Sequence, residues 1–184
     1  MKLAQITNRS RSMCEFLNKN NLTNIGVEVG VKYAKNAASI LKFWHGKTLH
    51  LVDTWPKLNI KQAAEERLQR YSGRYNIIHK KSENAVEIFE DNEIDFCHID
   101  ASHKYEDVKK DLYHWWPKVK KGGLFCGHDY TIDTEYSENL KWKHCGVKKA
   151  VDEFVKKYKL VLHTDLLVLD RKQKKKPNCW YIQK

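Results

Sequence analysis

The chain lacks the features that would set it apart from an ordinary globular protein. No apolar run approaches the roughly 18 residues a helix needs to cross a bilayer, so no membrane segment is expected. The opening MKLAQITNRSRSM carries no apolar stretch of the kind a secretory leader has, so no secretory signal is expected and the expected location is cytoplasmic. The five cysteines, Cys14, Cys97, Cys126, Cys145 and Cys179, are odd in number and scattered, with no CxxC pair. That excludes a disulfide framework and a thiolate zinc site, and reads as reduced thiols. No repeat and no linker divides the 184 residues. One domain over 1–184 is expected, long enough to bury a sizeable core.

What is present is a hydrophobic fraction of 41%, an aromatic fraction of 11% and a formal net charge of +11. The first two suit a packed fold rather than a disordered chain. The charge is partly local: RKQKKK at 171–176 holds five basic residues in six, and KVKKGG at 118–123 adds three. Such a field attracts anions of any kind, and a solvated lysine-rich surface gives the same count, so charge alone names no partner.

Strand-like and helix-like segments alternate, as expected of a parallel sheet wrapped by helices. After a helical lead-in (1–22, helix at 9–20), strands are predicted at 24–30, 48–53, 75–80, 94–100 and 122–129. Helices are predicted at 34–44, 59–71, 83–89, 105–119 and 146–158. In the helix after the fourth strand, Tyr105, Val108, Leu112, Trp115, Trp116 and Val119 recur at helical period, which makes the two tryptophans core. KLVLHTDLLVLD (159–170) and CWYIQK (179–184) read as antiparallel strands around a basic hairpin loop at 171–177. The predicted fold is α/β and Rossmann-like: a mostly parallel sheet with helices on both faces and an antiparallel ending. The irregular stretch 130–145 is long enough to be an active-site loop. Its Tyr130, Tyr136 and Trp142 either stack on a ligand or pack the loop.

Ligands of open α/β sheets bind beyond the carboxyl ends of the strands. There the five parallel strands deliver, in order, Glu28 and Gly30; Asp53; Lys81 and Ser82; Asp100, Ser102 and His103; and His128 and Asp129. Helix capping explains one such end but not five. Gly30 permits a tight turn and close approach of a ligand. Asp53, 25 positions beyond Glu28, suits ribose hydroxyls. The three-glycine dinucleotide fingerprint is missing, since the chain reads Gly30-Val-Lys-Tyr-Ala34-Lys-Asn-Ala37, and this disfavours NAD. In CHIDASHKYEDVKKDL (97–112), Asp100 and His103 share one turn. Histidine's ordinary pKa near 6.5 suits a base that takes a proton from a hydroxyl. A capping or hydrogen-bonding role for His103 is the bland alternative; His98 and His114, within elements, read as structural.

VEVGVKYAKNA, HLVDTW, IDFCHIDASHKYEDVKKDLYHWWPKVKKGGLFCGHDY and GVKKAVDEF resemble the class I S-adenosylmethionine-dependent methyltransferases. More narrowly they resemble the branch with macrolide-sugar O-methyltransferases and cephalosporin-hydroxylase-like proteins. The resemblance covers residues 24–184 and implies a seven-stranded sheet whose last strand is antiparallel. By position, it places Glu28 and Gly30 at the methionine end of S-adenosylmethionine, Asp53 on the ribose with Trp55 beside it, and Ser82 near the adenine. Asp100 would hold a divalent metal, magnesium or manganese, completed by His128 and Asp129, with His103 as general base. Two departures stand out: histidine at position 128, where an acidic residue is usual, and Ala34 in place of a second glycine. Histidine ligates transition metals whereas magnesium prefers oxygen, so the identity and presence of the metal stay open.

The resemblance thus implies O-methylation of a sugar or glycan-like small molecule, with an anionic acceptor and a neighbouring copy of the chain as further expectations. RNA or protein methylation is a competing reading prompted by the basic excess, but neither a nucleic-acid module nor an NPPY-like motif accompanies it. A non-catalytic nucleoside-binding domain is another.

Overall fold

The alternating pattern folds into one sheet in the computed structural model, which describes residues 2–3, 6–7, 10–130, 146–165 and 178–184. Its strands are β1 Ile25–Val29, β2 Thr48–Asp53, β3 Tyr75–His79, β4 Ile94–Ile99, β5 Val119–Tyr130, β6 His163–Thr164 and β7 Asn178–Gln183. They lie in the order β3-β2-β1-β4-β5-β7-β6. The four pairings among β1 to β5 are parallel, and β7 runs antiparallel to both β5 and β6. The expected mostly parallel sheet with an antiparallel last strand is the one that forms.

Strand side chains alternate between faces, and each face has its own core. Leu124, Cys126 and Tyr181 turn to one side, where they meet Met13 and Phe16 of α1 (Arg11–Lys19), together with α2 (Lys35–Phe43) and α3 (Leu58–Leu68). Phe125, Trp180 and Ile182 turn to the other, against α4 (Ser82–Ala85), α5 (Tyr105–Trp115) and α6 (Val147–Tyr158). The rings of Phe125 and Trp180 pack edge to face at 5.3 Å. Fully burying one such side chain contributes about 1.5–3 kcal/mol.

The tryptophans read as core behave so: Trp115 is fully buried and Trp116 packs on Phe125 and Phe154. The helix carrying them is shorter than its apolar stripe implied. Pro117 has no N–H to continue it, and Val119 instead opens β5, paired with Ile94. The fifth strand therefore begins at Val119 rather than at Gly122. Tyr130 ends β5 with its hydroxyl donating to Asp152 at 2.5 Å and the Lys148 ammonium over its ring, so it packs against α6. Tyr136, Trp142, Cys145 and the basic run 171–176 lie outside the described residues. Among the described residues, no helix is long and apolar enough to cross a membrane.

Candidate active site at the carboxyl edge of the sheet

The strand order reverses at β1 and β4, and a crevice of about 1260 Å³ opens at the carboxyl ends there. Its floor is a close backbone crossing. Asp100 N donates to Val29 O at 2.7 Å and Gly30 N to Val52 O at 2.9 Å, which ties three strand ends together. Gly30 has φ +91°, and a Cβ there would stand 2.2 Å from the carbonyl oxygen of Asp100. Only glycine fits this position without displacing the next strand.

The loop after Gly30 is strained and braced. Lys32 and Ala34 both adopt positive φ, 51° and 54°, a region L residues avoid. Ala34 thus holds by force the conformation that a glycine adopts freely. Side chains from neighbouring elements hold the loop. Asp53 Oδ2 accepts the amides of Val31 and Lys32 at 2.9 and 2.8 Å, and its Oδ1 accepts that of Trp55 at 2.8 Å. A carboxylate accepts about four hydrogen bonds, so Asp53, which lines the crevice, keeps capacity for a ribose hydroxyl. Trp55 lies beside Asp53, joined to it by that amide hydrogen bond. Its indole N–H donates to Lys32 O at 2.8 Å, it is buried, and it does not line the crevice. Through that bond it props the loop that follows Gly30. Arg67 of α3 adds a bond to Tyr33 O. Glu28 is buried at the crevice, with Oε1 accepting Asn36 Nδ2 at 3.0 Å.

At the other end of the crevice the β4 and β5 termini converge. Ligand atoms of Asp100, His103 and Asp129 lie within 4.8 Å of one another. His103 Nε2 stands 2.9 Å from Asp129 Oδ2 and 3.8 Å from Asp100 Oδ1. His128 is outside that triplet; its Nδ1 lies 3.0 Å from the other oxygen of Asp129. The turn is fixed locally: Ser102 Oγ donates to Asp107 at 2.7 Å and accepts Lys104 N, which starts α5. Glu106 and Asp107 in the first turn of α5 complement its dipole. Gly146 N donates to His103 O at 2.7 Å and ties the entry of α6 to the same turn.

Hydrogen bonding to Asp100, then to Asp129, pushes the His103 pKa up to about 9 against the opposing effect of burial. Burial alone would raise Asp129, but the bonds from His103 and His128 outweigh it and hold the carboxyl well below the usual carboxylate range. Folding therefore favours protonated His103. That contribution is complete below the ordinary pKa of 6.5 and disappears as pH rises through about 9. Urea unfolding at intervals from pH 6 to 9.5 is expected to show stability falling across this window, and a His103→Gln variant to lose that slope.

Sequence reasoning did not single out Asn36, Arg67 or Asp111. The last is legible in retrospect: it sits one helical turn before Trp115, at the border of the apolar stripe. Asp111 Oδ1 accepts the Ser82 hydroxyl at 2.5 Å, and Ser82 Oγ accepts Trp115 Nε1–H at 2.8 Å.

Residues 24–130 match the family model described as a methyltransferase domain. Among curated proteins, the uncharacterized protein y4gI of Sinorhizobium fredii is 33% identical over 64 residues, 35% of this chain. The match spans 7% of that protein's length. Among solved structures, an O-methyltransferase from Bacillus cereus in complex with SAH superposes with a TM-score of 0.72 at 12% identity, covering 98% of this chain and 84% of that one. The O-methyltransferase TomG from Streptomyces achromogenes, in complex with SAM, gives 0.71 at 9%, covering 93% and 78%. An rRNA methylase from Streptococcus thermophilus gives 0.65 at 14%, covering 94% and 93%. At such identities the likeness to solved structures shows the fold alone. The family match spans more than half of the chain and takes in every strand end that lines the crevice, so the chain belongs to the methyltransferase domain family, on the class I S-adenosylmethionine-dependent fold.

Proposed function

We propose that this chain transfers the methyl group of S-adenosylmethionine to a hydroxyl of a sugar or glycan-like small molecule. One observation carries the reading. The cluster Asp100, His103 and Asp129 lines the same crevice as Glu28, Gly30 and Asp53, the residues suited to the donor. Methyl transfer from a sulfonium is an in-line displacement, so the main task is to align the acceptor oxygen with the methyl carbon. The cluster offers that oxygen two carboxylates and an imidazole. The sugar-like acceptor is supported by the resemblance of residues 94–130 to sugar O-methyltransferases.

The donor set Asp100, His103 and Asp129 fits a divalent cation. Two oxygens and one nitrogen suit manganese or another transition ion better than magnesium. A cation bound there would lower the pKa of a coordinated hydroxyl and fix its direction. Otherwise His103 holds a proton at neutral pH, and it accepts one from the acceptor only after its own has left. In EDTA, turnover is then expected to climb about tenfold per pH unit towards a plateau near pH 9. Added manganese is expected to move that limb to lower pH.

The test is thermal shift with S-adenosylhomocysteine and with NAD, followed by transfer of labelled methyl to free sugars, sugar nucleotides, glycans and RNA. Stabilisation by the first ligand and labelling of a sugar support the proposal. Labelling of RNA alone would favour the second reading, which the +11 charge motivates. Absence of any shift with S-adenosylhomocysteine would remove both. Trp55→Phe keeps the packing but loses the N–H that props the Lys32 carbonyl. It is expected to raise the donor KM about fivefold to tenfold while kcat changes less than twofold, as initial rates at saturating acceptor will report.

A further inference from the structure

One buried donor behind the acceptor cluster has no use in the mechanism above. Trp180 of β7 is 1% exposed, and its indole N–H has no hydrogen-bond partner among the described residues. Other indoles of the molecule are treated differently. Trp44, Trp55 and Trp115 donate to Leu22 O, Lys32 O and Ser82 Oγ at 2.7, 2.8 and 2.8 Å. An indole nitrogen can only donate, and one shut away without an acceptor is destabilising. The sheet sets its place. Ile99, Gly127 and Trp180 are neighbours across β4, β5 and β7. A Cβ on Gly127 would stand 2.6 Å from indole Cε2, the carbon bonded to Nε1, and 2.5 Å from Ile99 O. The nitrogen-bearing edge of the indole thus lies against Gly127. A cavity of about 10 Å³, room for one water, lies behind the crevice there. Trp180 lines it with Asp100, His103 and His128, and Val108 and Val147 give it an apolar wall.

His128 supplies the matching acceptor. Its Nδ1 stands 3.0 Å from Oδ1 of Asp129, an ionised carboxylate that can only accept. Nδ1 therefore carries the hydrogen, and Nε2 of the neutral ring keeps a lone pair. We propose that the cavity is the site of one bound water, which accepts the Trp180 N–H and donates to His128 Nε2. The water fixes the tautomer of His128 and, through it, the setting of Asp129, whose other oxygen stands 2.9 Å from His103 Nε2. Trp180 is then a positioning residue for the His103 cluster. Its effect on rate rests on the function proposed above; the water site does not.

Nitrogen-15 NMR on the full chain tests it. In wild type the Trp180 N–H is expected to show cross-relaxation with a long-lived bound water, and His128 to show an unprotonated Nε2. Replacing Trp180 by benzothienylalanine keeps the shape of the ring and puts sulfur in place of the N–H. That variant should lose the water contact and shift His128 towards the Nε2–H tautomer, with affinity for S-adenosylhomocysteine unchanged. Its kcat for methyl transfer should fall about threefold to tenfold at an unchanged donor KM. A packing defect alone would leave the tautomer where it was. No water contact at Trp180 in wild type, or a protonated Nε2 on neutral His128, overturns the assignment whatever the rate does. A water contact in wild type, with tautomer and kcat unchanged in the variant, overturns the positioning role. Absence of methyl transfer to every acceptor, with the water contact and the tautomer shift both present, sinks the function proposed above and leaves the site standing. Should the variant fail to fold, the wild-type spectra decide alone.

Discussion

Asp129→Asn is expected to lower turnover by on the order of 10³-fold and to leave affinity for S-adenosylhomocysteine within about threefold of wild type. The side chain is 3% exposed and holds two histidines, His103 at 2.9 Å and His128 at 3.0 Å. Its backbone lies at φ 59°, where asparagine is among the best tolerated residues. The substitution therefore removes charge without adding backbone strain, and a loss of turnover will report on chemistry rather than folding. Without that carboxylate His103 loses one of the two groups that raise its pKa, so its titration by NMR should move down from about 9. Thermal unfolding monitors integrity, and single-turnover methyl transfer measures the effect. Turnover within tenfold of wild type would sink the assignment of this cluster to hydroxyl activation.

Gly30→Ala is expected to abolish donor binding and to destabilise the fold by roughly 2–5 kcal/mol, the sum of left-handed strain and overpacking. The new methyl would meet Asp100 O at 2.2 Å, Asp100 C at 2.4 Å and the Ala101 Cα at 2.5 Å. All three are backbone atoms of the turn that carries His103, so relief requires β1 and β4 to part at the crevice. Gly73 gives a matched control. It too has positive φ, +81°, but nothing lies within 4 Å of an added Cβ. Gly73→Ala should show the conformational cost alone, about 1–2 kcal/mol, with donor binding unchanged. Denaturant titration and calorimetry of the two variants separate strain from overlap; equal losses would refute the steric account.

The parallel strands were legible because both sheet faces are covered, leaving short apolar runs that end in polar turns. The stripe from Val108 to Trp115 gave α5 its length and face, but nothing in its period marks where a stripe passes from helix to strand, and Val119 was carried one element too far. The polar strand ends were legible for the same topological reason: all point to one edge. Which of them touch was not. Trp55 follows Asp53 by two residues, and the turn at φ 33° carries its indole N–H to Lys32 O. His103 and His128 both read as cluster members, and only the backbone geometry of the two turns decides that the first meets Asp100 and Asp129 while the second backs the pair. Asp111 escaped notice because a carboxylate beside an apolar stripe looks like a solvated helix face until Ser82 and Trp115 are seen to close over it.

The placement of β7 governs the order in which the molecule can be completed. A growing chain that has emerged only as far as residue 177 possesses β1 to β6, yet β5 has no outer neighbour and β6 has nothing to join. Until Asn178–Gln183 slots between them, the row of amides and carbonyls along β5 stands open, inviting wrong partners. The sheet that carries the candidate catalytic turns is thus sealed by the strand that comes latest in chain order among the described residues, and the open β5 edge is where this chain is exposed to misassembly before that strand arrives.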